Sequence, residues 1–179
     1  MRLFIAINFD DTFRNGLAEI QKSLKSRIAS GRFTRIKNLH LTLVFIGESE
    51  SAKDIAVICK ETMKSEMKSP VWLCIDGIGR FKKDEGDIVW VGLDDNPTLG
   101  WYVDKLREKL AEKGYIKKSK GYTPHITMAR KVKGQRCEDL RIPPLEMKVS
   151  SVSLMKSENH GNGQVYTEIE KINLPNRFR

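Results

Sequence analysis

The chain has 179 residues, 40% of them apolar, and a net charge of +9, which suits one domain with a well-buried core. Its only apolar run near the start, residues 3–7, is too short for a signal peptide or a membrane span, so we expect a cytoplasmic protein. Three widely spaced cysteines, Cys59, Cys74 and Cys137, include no C-x-x-C pair, which argues against a disulfide framework and a zinc knuckle.

The first predicted elements are a strand, a helix and a second strand. Residues 2–9 are predicted to form a buried strand. Apolar residues then recur at steps of three and four over residues 13–28, which predicts an amphipathic helix capped by Asp10 or Asp11. A short basic linker leads to a predicted strand over residues 39–46.

A second helix and a hairpin are predicted next. Ser51 with Asp54 three residues later resembles a capping box, and the helix that it begins should run to about Met67. Residues 71–78 and 88–93 have the composition of strands and are joined by a polar stretch. This pattern predicts a β-hairpin.

A third helix and three more strands complete the chain. Asn96 and Pro97 supply a cap and a first-turn proline for the helix, which should end at Gly114. Another basic linker follows this helix. The remaining strands are predicted at residues 124–128, 147–157 and 164–174, the last two as a closing hairpin.

Basic residues are concentrated in the two linker regions. Residues 20–37 contain six basic residues and residues 113–136 contain eight, and neither window contains an acidic residue. The rest of the chain is therefore net acidic. Such concentrated positive charge suits a polyanion, with nucleic acid as the first candidate and an anionic membrane surface as the second. Solvated surface loops remain the alternative for either window alone.

Two of the three histidines begin the sequence His-x-Thr. Because side chains alternate along a strand, His40 shares one face with Thr42, and His125 shares one face with Thr127. The apolar residues between them would pack into the core. His160 has no following threonine and lies in a Gly/Asn turn, where we interpret it as a loop residue.

The order of capped helix, basic linker and His-x-Thr strand occurs twice. From Asp11 to His40 is 29 positions, and from Asn96 to His125 is also 29. The repetition suggests two related halves that face one another.

Two such strands with their polar faces together could catalyse a reaction at phosphorus. That reaction needs one proton taken from the nucleophile and another given to the leaving oxygen, and histidine performs both tasks near neutral pH. Threonine hydroxyls and basic linkers could bind the non-bridging oxygens. Scattered histidines without carboxylate or thiolate clusters make a poor metal site, and no phosphate-binding glycine motif is present. We therefore expect no metal and no cofactor.

At residues 40–43 and 125–128 the sequence resembles the 2H phosphoesterase superfamily, which is defined by two H-x-[ST]-x motifs. Within it, the sequence is similar to the bacterial and archaeal RNA 2′,3′-cyclic phosphodiesterases, historically called 2′-5′ RNA ligases. The likeness covers nearly the whole chain. Its further blocks are residues 2–7, 39–47 and 124–130 and the closing hairpin with Ser157 and Tyr166.

The resemblance implies a fold and a reaction. The fold is a single bilobal α+β domain over residues 1–179, with two antiparallel sheets, helices on their outer faces, a pseudo-twofold axis and a central cleft bearing the two His-x-Thr strands. The reaction opens an RNA 2′,3′-cyclic phosphate to a 2′-phosphate without metal. His40 would be the proton donor and His125 the proton acceptor, while Thr42 and Thr127 would hold the phosphate.

Arg130 follows the second motif as in many relatives and is a further candidate for substrate binding. Strict alternation places it on the face opposite His125, although a twist or a strand end could bring it round. The implied partner is an RNA with a 2′,3′-cyclic phosphate terminus, with tRNA fragments among the candidates. The enzyme is expected to be a monomer that binds no membrane.

Other functions fit the same residues. The two histidines could also serve a 2′-5′ RNA ligase or a phosphodiesterase acting on a small cyclic nucleotide. A different class is an RNA- or nucleotide-binding module, in which the His-x-Thr pairs grip phosphate without turnover. The residues alone leave open which histidine is the acid.

Overall fold

The computed structural model describes residues 1–118, 121–134, 136–161 and 163–175. The described strands are β1 (Arg2–Asn8), β2 (Arg32–Phe33), β3 (His40–Glu48), β4 (Trp72–Phe81), β5 (Asp87–Leu93), β6 (His125–Val132), β7 (Glu146–Lys148), β8 (Ser151–His160) and β9 (Gly163–Asn173). The α-helices are α1 (Asp11–Arg27), α2 (Ala52–Glu66) and α3 (Pro97–Glu112).

Two antiparallel sheets organise the fold. The first has the strand order β3-β1-β8-β9 and the second has the order β2-β6-β5-β4-β7. Strand, helix and neighbouring antiparallel strand recur as β1-α1-β3 and β5-α3-β6. The predicted α+β class with two antiparallel sheets is confirmed. Both motif strands, β3 and β6, lie at or next to the edge of their sheets.

Helix α1 begins where the sequence predicted and packs towards β6. The Asp10 carboxylate accepts a hydrogen bond from the Phe13 N–H at 2.8 Å, so Asp10 is the cap. From Asp10 to His40 is 30 positions, so the expected equality of the two intervals at 29 is wrong by one residue. The buried side chain of Gln21 donates to the carbonyls of Thr34 and Met128, which fixes α1 to the linker and to β6.

Helix α2 lacks the capping box that its sequence predicted. Ser51 precedes the helix, but its backbone (φ −92°, ψ 41°) lies outside the β region and its side chain accepts no capping hydrogen bond. A capping serine needs an extended backbone to direct its hydroxyl at the free N–H groups of the first turn. Helix α3 does have its predicted cap, because the Asn96 side chain accepts from the Leu99 N–H at 2.9 Å.

The expected single strand over residues 147–157 is wrong. Strand β7 pairs with β4 in the second sheet, whereas β8 pairs with β1 in the first. Between them the buried Val149 donates its N–H to the Val71 carbonyl, and the Ser150 carbonyl accepts from the Leu174 N–H. The chain therefore crosses from one sheet to the other at residues 149–150, and only β8 forms the predicted closing hairpin with β9.

The first basic linker contains more structure than the sequence indicated. It forms strand β2, which pairs Arg32 with Arg130 and Phe33 with Ala129 on β6, and a 3₁₀ helix at Ile36–Asn38. This helix ends two residues before His40. The linker thus pairs with one motif strand, β6, and leads along the chain directly into the other, β3.

Apolar burial leaves one face of the first sheet open to the cleft. A large core cluster contains the inward-facing residues of both sheets and all three helices. A second, small cluster of Phe4, Ala6 and Met155, with Tyr166 packed against it, lies on the opposite face of the first sheet, where Phe4 and Tyr166 line the cleft. In the described parts of the chain, no helix has the length and apolar character needed to span a membrane.

Candidate active site

His40 is held by its backbone neighbourhood and by two aromatic rings. Its Nδ1 lies 2.7 Å from the Asn38 carbonyl oxygen, and its Nε2 lies 2.9 Å from the Thr42 Oγ1. The Phe4 ring centroid is 5.0 Å from the imidazole, and the Tyr166 ring meets it edge-on at 5.1 Å. The imidazole is therefore fixed in position and orientation before any substrate arrives.

His125 is built in the same way in the other half. Its Nδ1 lies 2.7 Å from the carbonyl oxygen of Thr123, again the residue two positions earlier. Phe81 meets the ring edge-on at 4.9 Å, and Trp90 lies 6.1 Å away. The two histidines thus share a backbone acceptor at the same offset and a pair of aromatic neighbours.

The Nδ1 contacts determine which nitrogen is available for chemistry. A carbonyl oxygen only accepts hydrogen bonds, so Nδ1 carries the proton in both neutral imidazoles. Nε2 is then an acceptor in the neutral form and a donor in the imidazolium. Each histidine can accordingly take or give a proton through Nε2 alone.

Burial lowers the pKa of both histidines below the ordinary value. For His40, removal from water has the largest effect, the Asn38 carbonyl acts in the opposite direction, and the charges of Arg130 and His125 lower the pKa further. For His125 the causes are again burial, opposed by the Thr123 carbonyl, and the charge of Arg130. The cleft therefore favours neutral imidazoles, and the charge of Arg130 lowers the pKa of both.

The two motifs line one cavity of about 430 Å³. Its described lining residues are Arg2, Leu3, Phe4, Thr34, Asn38, His40, Thr42, Phe45, Gly47, His125, Thr127, Arg130, Ser157, Gln164 and Tyr166. All five residues singled out from the sequence are among them. His160, at the exposed end of β8, is not. None of these described lining residues is acidic, so the site suits an anion.

A β-bulge explains why Arg130 faces the cavity. In the β5–β6 pair, Val89 is opposite Ala129 and the next residue, Trp90, is opposite Thr127, so Met128 is an extra residue on β6. Met128 and Ala129 are both buried and Arg130 is exposed, so the alternation is shifted by one position at Arg130. Strict alternation would place Arg130 on the face opposite His125, but the bulge brings it round to the cavity.

The first motif has a bulge at the same position. In the β1–β3 pair, Ile5 is opposite Val44 and Ala6 is opposite Thr42, which leaves Leu43 as the extra residue. Phe45 consequently reaches the cavity, at the position equivalent to Arg130. Each motif strand thus presents histidine, threonine and, three residues beyond the threonine, one further side chain.

Sequence reasoning missed two residues whose hydrogen bonds hold the elements around the two histidines together. Asn38 is buried, and its side chain donates to the Gln164 carbonyl on β9 at 2.9 Å. Tyr122, three residues before His125, donates its hydroxyl to the Thr42 carbonyl at 3.1 Å. Their positions, two and three residues before a motif histidine, were the only signal available.

The described residues offer no metal site in the usual sense. Among them, no group of three or more histidine, cysteine, aspartate or glutamate side chains is placed to hold a metal ion. The cavity's functional groups are imidazole, hydroxyl, amide and guanidinium. This set can transfer protons and bind anionic oxygens.

Known proteins resemble this chain over nearly its whole length. A family model described as the 2′-5′ RNA ligase superfamily matches residues 9–161. A protein of Methanothermobacter thermautotrophicus named RNA 2′,3′-cyclic phosphodiesterase is 30% identical, covering 97% of this chain and 99% of its own length. One of the same name from Thermotoga maritima is 29% identical, with coverages of 93% and 91%. The crystal structure of Escherichia coli LigT complexed with 3′-AMP has a TM-score of 0.78 at 25% identity and covers 97% of each chain.

Proposed function

Because the chain belongs to the RNA 2′,3′-cyclic phosphodiesterases of the 2′-5′ RNA ligase (2H phosphoesterase) superfamily, we propose that it hydrolyses the 2′,3′-cyclic phosphate at the end of an RNA to a 2′-phosphate. One observation carries the proposal: two imidazoles with anchored Nδ1 atoms line the same acid-free cavity. Acid–base catalysis needs this pairing, since one group must accept a proton while the other donates one.

In the proposed reaction, water attacks the phosphorus of the cyclic ester. His125 Nε2 takes the proton from water as the new P–O bond forms. The bond from phosphorus to the 3′ oxygen breaks, and His40 Nε2 gives its proton to that oxygen. The product keeps its phosphate on the 2′ oxygen. Afterwards the two histidines have exchanged protonation states, and proton exchange with solvent resets them.

The phosphate would be held by Thr42, Thr127 and Arg130. Both threonines line the cavity next to a histidine on the same strand face. Thr42 Oγ1 is already within hydrogen-bonding distance of His40 Nε2, so a phosphate oxygen could replace that contact. Arg130 would compensate the negative charge that grows on the non-bridging oxygens.

The direct test is incubation with a short RNA that ends in a 2′,3′-cyclic phosphate, followed by identification of the product. A 2′-phosphate end supports the proposal. A 3′-phosphate end would show that the 2′ oxygen, and not the 3′ oxygen, is the leaving group. Joining of two RNAs through a 2′-5′ bond would favour ligase chemistry. Tight binding without turnover would instead favour a nucleotide-binding module.

Hydrolysis should persist in excess EDTA. The proposed catalysis uses two imidazoles, and the described residues offer no cluster of three metal ligands. The measurement is the initial rate on the cyclic-phosphate RNA after dialysis against EDTA, compared with the rate after adding back Mg²⁺, Mn²⁺ or Zn²⁺. A loss of activity that one of these ions restores would contradict the metal-free mechanism.

Longer RNA should bind less tightly as salt increases, because phosphates contacting the basic windows release counterions. Charge reversal at Lys118 and Lys120 should weaken RNA binding more than it slows hydrolysis of a minimal cyclic nucleotide. Lys118 is exposed, whereas Lys120 lies outside the described residues. The combined variant Lys60→Glu and Lys64→Glu, which reverses two exposed charges on α2, is the matched control. If the substitutions change RNA binding and hydrolysis of the cyclic nucleotide equally, the basic windows do not bind RNA and are ordinary solvated surface.

A further inference from the structure

Strand β2 directs a second arginine towards the cleft. Thr34, which continues the pairing by donating its N–H to the Met128 carbonyl, lines the cavity. Because side chains alternate along an extended chain, Arg32 faces the same side as Thr34. Phe33, between them, faces the other way, with the Lys25 ammonium of α1 5.4 Å from its ring centroid. Arg32 is exposed and is not one of the described residues that line the cavity.

Arg32 is directly opposite Arg130 in the β2–β6 pair. Side chains at directly opposite positions are close neighbours, and two like charges there destabilise the pairing. Within the described parts of the chain, neither arginine forms an ion pair with a carboxylate. An unbalanced arginine pair at the rim of an acid-free cavity is an arrangement that an anion would stabilise.

We propose that Arg32 binds a second phosphate of the substrate, the one on the 5′ oxygen of the terminal nucleoside. This inference rests on the proposed function, in which Arg130 and the two threonines hold the cyclic phosphate. Arg32 lies on β2, one strand farther from the histidines than Arg130 on β6. Neighbouring strands are about 4.8 Å apart. Arg32 is therefore placed for the next phosphate along the chain. The enzyme then distinguishes an RNA end from a free nucleoside 2′,3′-cyclic phosphate.

The test compares two substrates that differ by one group, adenosine 2′,3′-cyclic phosphate with and without a 5′-phosphate. The wild-type protein should have a kcat/KM about tenfold higher for the 5′-phosphorylated substrate, the worth of one hydrogen-bonded charge pair. Arg32→Gln should remove most of this preference by raising KM for that substrate alone. Arg32→Lys should restore part of it, because lysine keeps the charge but loses the planar fork. Lys60→Gln, which removes one exposed charge from α2, should keep the wild-type preference.

Thermal unfolding separates a binding role from a structural one. Removing one of two repelling charges should leave the melting temperature of Arg32→Gln unchanged or raise it. Equal losses of kcat/KM on both substrates, with or without a lower melting temperature, would overturn the inference. So would a wild-type protein that hydrolyses both substrates equally well. If the wild-type protein hydrolyses neither substrate nor the cyclic-phosphate RNA, the proposed function has failed instead.

Discussion

Replacing His40 or His125 by alanine is expected to lower kcat on a cyclic-phosphate RNA by roughly 10²–10⁴-fold in each case. Each imidazole would perform a separate proton transfer, so loss of either leaves one transfer to water. The two effects should be of similar size because both histidines share the same Nδ1 anchor and both line the cavity. Single-turnover rates with the wild type and both variants provide the measurement.

His160→Ala is the matched control, since His160 lies at the exposed end of β8 and outside the cavity lining. It should keep wild-type activity. His40→Gln and His125→Gln keep more of the side-chain volume among the aromatic neighbours. They test whether a loss of activity in the alanine variants comes from misfolding. Turnover close to that of wild type in either histidine variant would show that the two-histidine mechanism is wrong.

Much of the site was visible in the sequence because its residue types are rare and their local geometry is simple. Two of the three histidines begin His-x-Thr. Alternation along a strand then places His40 with Thr42, and His125 with Thr127, on shared faces. Side-chain alternation is a local property, so it could be read without knowing the partners of either strand.

The position of Arg130 could not be predicted in this way. A bulge depends on two strands fitting against one another, and the extra residue, Met128, is apolar like its neighbours on the core side. The pattern of apolar residues therefore gives no sign of the shift. The same holds for Leu43 and Phe45 in the first motif.

The crossing between the two sheets was missed for a related reason. Residues 147–157 are rich in β-forming residues throughout, but burial changes from alternate positions in β7 to five consecutive buried residues at the start of β8. Amino-acid composition predicts that a segment is a strand, but the strand with which it pairs depends on tertiary packing. At the crossing Val149 is buried and its N–H donates a hydrogen bond to the Val71 carbonyl, so the connection between the two sheets is itself part of the core.

The pH dependence of hydrolysis should differ between the free enzyme and the enzyme–substrate complex. The profile of kcat/KM reports the pKa values of the free enzyme, and the profile of kcat reports those of the complex. In the free enzyme, burial and the charge of Arg130 lower the pKa of both histidines. A bound phosphate opposes the charge of Arg130 and favours the imidazolium. Both limbs of the kcat profile should therefore lie at higher pH than those of kcat/KM.

The lowered pKa values of the two histidines also determine how the stability of the fold changes with pH. A histidine whose folded pKa lies below its unfolded value of about 6.5 favours folding in its neutral form. Its contribution is fully present above the unfolded pKa and is lost as the pH falls. The wild-type protein should accordingly lose stability below that pH, and His40→Gln should lose less. Denaturant titrations of both proteins across this range are the measurement.

Arg130→Gln tests the cause of these shifts directly. Without the guanidinium, the pKa of His40 and His125 should rise in the free protein, because one of the causes that lower both values is gone. Added inorganic phosphate should raise the same pKa values in the wild type and raise them less in the variant, which lacks one of the proposed phosphate-binding groups. NMR titration of the imidazole C–H signals measures all of these changes, with Lys60→Gln as the control for net charge. A pKa of either histidine that falls in Arg130→Gln would show that the guanidinium does not lower the pKa values of His40 and His125, and the electrostatic account of the cleft would then be wrong.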